Sequence, residues 1–159
     1  MFTDDAIFSN QKRCIFQVVA LATSLEELRS CQREINSLGA RYNKDDLVSL
    51  AETTYIVHKQ AHQALKATSR LAPPPESRNI VRVVSAEEYK ATGETEGAIA
   101  TGFPRPEPLY YEPNRIYKDL GADVVFAVIR WDRIVFARCR NLFELEVALT
   151  RIEEALKGK

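Results

Sequence analysis

The sequence predicts an α+β fold, a mixed or mainly antiparallel sheet of about four strands with helices packed against it, including an N-terminal αα-hairpin and a C-terminal helix. Three observations carry that prediction. Short runs dense in β-branched and aromatic residues recur along the chain. Capping boxes precede stretches with apolar residues every three or four positions. The resulting order, β, α, α, β, short α, long loop, short α, β, β, α, lacks the regular alternation of a doubly wound fold.

The first strand is expected at residues 14 to 23, CIFQVVALAT, whose residues suit a pleated buried surface. Ser24-Leu-Glu-Glu27 then forms a capping box, and Leu25, Leu28, Cys31, Ile35 and Leu38 follow on one helical face. Gly39 stands where a helix terminator must take positive φ. Asn43, Asp45 and Asp46 supply acceptors for the start of a second helix. Leu47, Leu50, Ala51, Thr54, Val57 and Leu65 continue it at helical spacing as far as about Leu71, so the two helices would form the αα-hairpin. Three consecutive prolines, 73 to 75, end it and begin a stiff spacer over residues 73–77. The chain thus reads as one domain, 1–159, with a helical half (1–72) and a β-rich half (78–159).

In the second half, Ile80 to Val84 is a strand, and Ser85-Ala-Glu-Glu88 caps a short helix stopped by Gly93. Periodicity fails from Glu94 to Glu112, which reads as a long loop. Pro113 and Gly121 bracket a short helix, Asn114 to Leu120. Asp123 to Arg130 and Arg133 to Arg140 alternate about Trp131-Asp132 as an antiparallel hairpin, with Ile134, Phe136, Arg138 and Arg140 expected on one face. Asn141 and Glu144 open the final helix, with Leu145, Ala148, Leu149 and Ile152 on its apolar stripe. Phe143 and Val147 lie outside that stripe, which suggests a second covered side and a homo-oligomer.

Twenty-two Lys and Arg against 22 Asp and Glu leave no net charge, which removes the electrostatic footprint of a binder of long nucleic acid. No apolar stretch approaches the length of a membrane span, and residues 1–14 do not have the form of a signal peptide. Cys14, Cys31 and Cys139 are too few and too far apart for a disulfide framework, so the sequence predicts reduced, buried thiols in a cytoplasmic protein. P-loop, dinucleotide-fingerprint, C-x-x-C, H-E-x-x-H and nucleophile-elbow patterns are all absent. No catalytic residue, metal ligand or cofactor is assigned on this reading. His58 and His62, spaced i, i+4, could offer two metal ligands, but the pattern supplies no third.

The richest binding candidate is the stretch 102–117, which interleaves Phe103, Arg105, Tyr110, Tyr111, Arg115 and Tyr117 with prolines. Tyr and Arg are the side chains enriched at binding hot spots, and both stack on flat ligands. Packing of these rings on the domain's own surface is the alternative. Arg82, Arg130 and Trp131 are candidates to join the same site from the strands.

The segment Ile80 to Gly93 resembles the opening strand and helix of some ADP-ribosyltransferase-like domains, over about a tenth of the chain. The resemblance implies Arg82 and Ser85 at an NAD pocket, with Tyr110 and Tyr111 on its nicotinamide side. No Glu matches the catalytic Glu of that family, since Glu144 and Glu146 fall in the final helix. The sequence therefore points first to a non-catalytic binding module, a homo-oligomer holding a protein partner or a small anionic, nucleotide-like ligand. The alternative is an NAD-using enzyme of degenerate ADP-ribosyltransferase-like type.

Overall fold

A computed structural model of the chain describes residues 7–8, 14–42, 47–68, 79–85, 87–88, 112 and 114–157. Its elements are β1 (Phe16–Ala22), α1 (Leu25–Tyr42), a single 3-10 turn (Leu50–Glu52), β2 (Thr54–Val57), α2 (Lys59–Thr68) and β3 (Ile80–Arg82). After these come α3 (Arg115–Leu120), β4 (Phe126–Arg130), β5 (Val135–Cys139) and α4 (Leu142–Lys157). The fold class is α+β, built on one mixed sheet of five strands in the order β3-β2-β1-β4-β5. β1, β2 and β3 are mutually parallel, whereas β4 runs antiparallel to both β1 and β5.

The expected αα-hairpin is replaced by a β–α–β–α–β succession, and this is where the fifth strand comes from. Thr54, Tyr55, Ile56 and Val57 are all buried because β2 sits inside the sheet with cover on both faces. A strand buried on both faces loses the polar alternation that would have marked it. The spacing of Leu47, Leu50, Thr54 and Val57 mimics a helix, yet four consecutive β-branched or aromatic residues lose side-chain freedom in a helix and fit a pleat. α1 also runs through Gly39 to Tyr42. Tyr42 is buried and its hydroxyl meets that of Thr150 on α4 at 2.9 Å, so tertiary packing carries the last turn past the glycine.

Other expectations match in detail. Ser24 Oγ accepts from the N–H of Glu27, and the Glu27 carboxylate accepts from Thr23 N–H at 2.7 Å. Asn141 accepts from the N–H of Glu144, whose carboxylate accepts from Arg140 N–H. Gln17, the one polar residue in an otherwise apolar β1, is buried with its amide donating to Cys14 O.

α1, α2 and α4 cover one face of the sheet, where Leu28, Ile35, Leu145 and Leu149 meet Val18, Ala20, Phe126 and Val128. The other face carries Val19, Leu21, Ile56, Ala127 and Ile129 under Leu120 of α3 and Ile7. The β4–β5 hairpin forms as expected, with Arg133 in its turn at φ 68°. Its strict alternation does not survive, because the register slips by one residue between Val128 and Ile129. Such a bulge turns neighbouring side chains toward the same side. Phe136 accordingly meets Phe16 edge-to-face at 5.3 Å, whereas Arg138 donates to Leu120 O on α3.

Candidate functional site

Parallel β1, β2 and β3 bring three carboxyl ends side by side, the edge at which open α/β sheets hold their ligands. The chain leaves β2 through His58 into α2, and leaves β3 through Val83, Val84 and Ser85. Val57 and Arg82 are register partners, so the last side chain of β3 lies beside the start of α2.

The Arg82 guanidinium reaches both carboxylate oxygens of Glu88, at 3.1 and 3.2 Å, and Lys59 Nζ reaches the same carboxylate at 3.0 Å. Ser85 N–H donates to Glu88 Oε2, and Glu88 N–H donates back to Ser85 Oγ. The predicted capping box is therefore real, and its acid serves a second purpose as the anion between two cations. Hydrogen bonds from Lys59, Ser85 and Arg82 hold the Glu88 carboxyl well below the usual range, at about 2.

Next to this cluster, the rings of His58 and Tyr117 meet edge-to-face at 4.6 Å. The Tyr117 hydroxyl donates to Ile56 O at 3.1 Å and lies 3.4 Å from Ala22 O, which ties α3 to the ends of β1 and β2. Burial, with the nearby Glu27 charge, pushes the Tyr117 phenol up, so it stays a neutral donor. Hydrogen bonds from Thr23 lower the Glu27 carboxyl, with a smaller contribution from His58. One turn along α2, burial and the positive charges of Lys66 and Arg82 push His62 down. The imidazoles of His58 and His62 thus lie in the same region as the Arg82, Lys59 and Glu88 cluster.

Two of the residues expected at a binding site, Arg82 and Tyr117, belong to this end of the sheet. Arg115 points away on the exposed side of α3, paired with Asp119 at 3.2 Å. Arg130 and Trp131 lie at the opposite end, since Arg130 is the register partner of Phe16 at the start of β1. There Arg130 is bonded to Asp132, and Trp131 is 66% exposed. They cannot join Arg82 in one pocket, because antiparallel pairing sends the carboxyl end of β4 the other way. Phe103, Arg105, Tyr110 and Tyr111 lie outside the described residues. Lys59 and the double role of Glu88 were missed by sequence reasoning, Lys59 because it was placed inside a longer helix. The available signal was the polar His58-Lys59 pair directly after an apolar β-branched run.

Among the described residues, no group of three or more His, Cys, Asp or Glu side chains gathers to hold a metal ion, and no helix is long and apolar enough to cross a membrane. Comparison with known proteins finds no match to this chain among family models, curated proteins or solved structures.

Proposed function

We propose that the chain is a single-domain, non-catalytic binding module of the cytoplasm that holds a small anionic ligand, such as a phosphate or a nucleotide, at the carboxyl ends of β1 to β3. The observation that carries this reading is the convergence of Arg82, Lys59 and a backbone N–H from two neighbouring strand ends on one carboxylate. A guanidinium presents five donors and an ammonium three, so the cluster has donors beyond those that Glu88 uses. Glu88 is then an internal stand-in for the ligand: an incoming phosphate or carboxylate group displaces it or sits beside it on the same donors. His62 is pushed down first by burial and then by the positive charges of Lys66 and Arg82, and the second contribution is one that a bound anion would relieve. The half-buried rings of Tyr117 and His58, packed edge-to-face, border the cluster. Three buried cysteines, none in a disulfide, fit a reducing compartment.

Isothermal titration of the full chain with inorganic phosphate, AMP, ADP and NAD tests the reading. At least one of these should bind, Lys59→Ala should weaken binding several-fold, and Glu88→Gln should tighten it by removing the internal competitor. Lys59 is exposed, so its replacement leaves folding intact. The reading fails if neither the wild type nor the Glu88→Gln variant gives heat with any of the four ligands. It also fails if Lys59→Ala and Arg82→Ala both bind as the wild type does. NAD consumption during the titration would favour the transferase-like alternative.

A further inference from the structure

The capping boxes that follow β1 and β3 set two acids over the same edge of the sheet, in different surroundings. Ala22, Val57 and Arg82 are register partners and form one row across β1, β2 and β3. Glu27 folds back onto the residue after Ala22, where Oε2 accepts from Thr23 N–H and from Thr23 Oγ1, both at 2.7 Å. Glu88 folds back onto Arg82 and Ser85 in the same way. Lys59 and Arg82 pair with Glu88, whereas among the described residues no lysine or arginine pairs with Glu27. The edge is therefore polarised, with cations over β3 and an exposed acceptor over β1. His58 leaves β2 between them, its backbone N–H bonded to Ala22 O.

We propose that the ligand of this edge is a phosphorylated ribose, as in a nucleotide, whose phosphate takes the place of the Glu88 carboxylate on Arg82 and Lys59 and whose neighbouring hydroxyls bind Glu27 and Thr23. The proposal rests on the anion-binding reading above and adds the second half of the ligand. Acceptor chemistry selects the hydroxyls. An ionised carboxylate offers about four acceptor positions. Thr23 fills two of those on Glu27, and the Ser24 N–H is a further, weaker donor, so one position is left for a ligand. Thr23 Oγ1 spends its proton on Glu27 and keeps its lone pairs. Two acceptors thus lie side by side, which suits two donors on adjacent carbons better than a single ammonium. Spacing selects the phosphate. Neighbouring strands are about 4.8 Å apart, so β1 and β3 are separated by about 10 Å across the sheet. A hydrogen bond at the Glu27 end takes up about 3 Å of this. The remainder suits the reach of a ribose from its phosphate to its two ring hydroxyls, and an inorganic phosphate is too short to span it.

Isothermal titration of the full chain, wild type and Glu88→Gln, with inorganic phosphate, AMP and a dideoxy analogue of AMP that lacks both ribose hydroxyls tests this. AMP should bind about tenfold more tightly than the dideoxy analogue, since hydrogen bonds to a charged acceptor are among the stronger ones. Glu27→Gln should bring that ratio close to one, and Thr23→Val should lower it. Glutamine also serves in a capping box, so the start of α1 is kept in the first variant. The ratio is the readout because removing a negative charge near the phosphate tightens both nucleotides alike. Binding of phosphate or of the dideoxy analogue with no gain for AMP overturns this inference and leaves the anion-binding reading standing. A preference for AMP that persists in both Glu27→Gln and Thr23→Val also overturns it. Absence of heat with all three ligands, in the wild type and in Glu88→Gln, overturns both.

Discussion

Tyr117 joins the fold to the candidate site, and its two parts can be separated by mutation. Its hydroxyl is bonded to Ile56 O, and its half-buried ring packs on His58 and on the core under α3. Tyr117→Phe removes the hydroxyl alone, and a typical intramolecular hydrogen bond contributes about 1 kcal/mol net. Tyr117→Ala removes the ring as well. Loss of a fully buried aromatic ring costs about 3–5 kcal/mol, so a half-buried one with its hydroxyl costs about 3 kcal/mol. In a domain of this size each kcal/mol moves Tm by about 2–4 °C, so the expected losses are about 3 °C for Phe and about 9 °C for Ala. Differential scanning calorimetry measures both, and the His58 ring proton shifts in NMR spectra report whether the ring contact is lost. Equal Tm for wild type and Tyr117→Phe would refute a stabilising role for the hydroxyl. A Tyr117→Ala loss no larger than that of Tyr117→Phe would refute the anchoring of α3 through the ring.

Two further outcomes follow from the titrating groups. Burial, reinforced by neighbouring acids, pushes the Cys31 thiol up to about 12 and that of Cys139 up to about 11, and Cys14 is buried too. Ellman's reagent at pH 8 should therefore label no thiol quickly in the native protein and all three in guanidinium, and one fast-reacting native thiol would contradict this burial. The acid side of the stability curve should fall in two stages in urea titrations between pH 7 and pH 3. His62 is held below its ordinary value, so the unfolded chain takes up its proton first and stability declines as pH drops below about 6.5. Glu88 contributes stability above its unfolded value of 4.5 that is lost as pH falls toward about 2. His62→Gln should flatten the first stage, and a first stage unchanged in that variant would assign it elsewhere.

Local chemistry was legible wherever the signal was short-ranged. The capping boxes at Ser24, Ser85 and Asn141 depend on residues three apart, and all three form. β1 and α4 could be read because each carries its own period or composition. β2 was misread because a strand covered on both faces shows no alternation, and its apolar positions coincide with helical spacing. For the candidate site, Arg82 could be singled out as a charge within an apolar strand, but its meaning depends on Lys59 and Glu88. Those residues meet only because β2 and β3 pair in parallel with Val57 beside Arg82, and nothing local in the sequence encodes that register.

The position of β1 also constrains how the chain can assemble during synthesis. Its parallel neighbour β2 follows within about 40 residues, but its antiparallel neighbour β4 lies more than 100 residues later. Until residues 126–130 have left the ribosome, β1 carries an open hydrogen-bonding edge flanked by Val18, Val19, Ala20 and Leu21. An open apolar edge is a template for wrong pairing, and chains are made slowly compared with strand association. The nascent N-terminal portion is therefore the stage most exposed to aggregation, and truncations that remove β4 should yield insoluble product although the β1–β2 pair is intact.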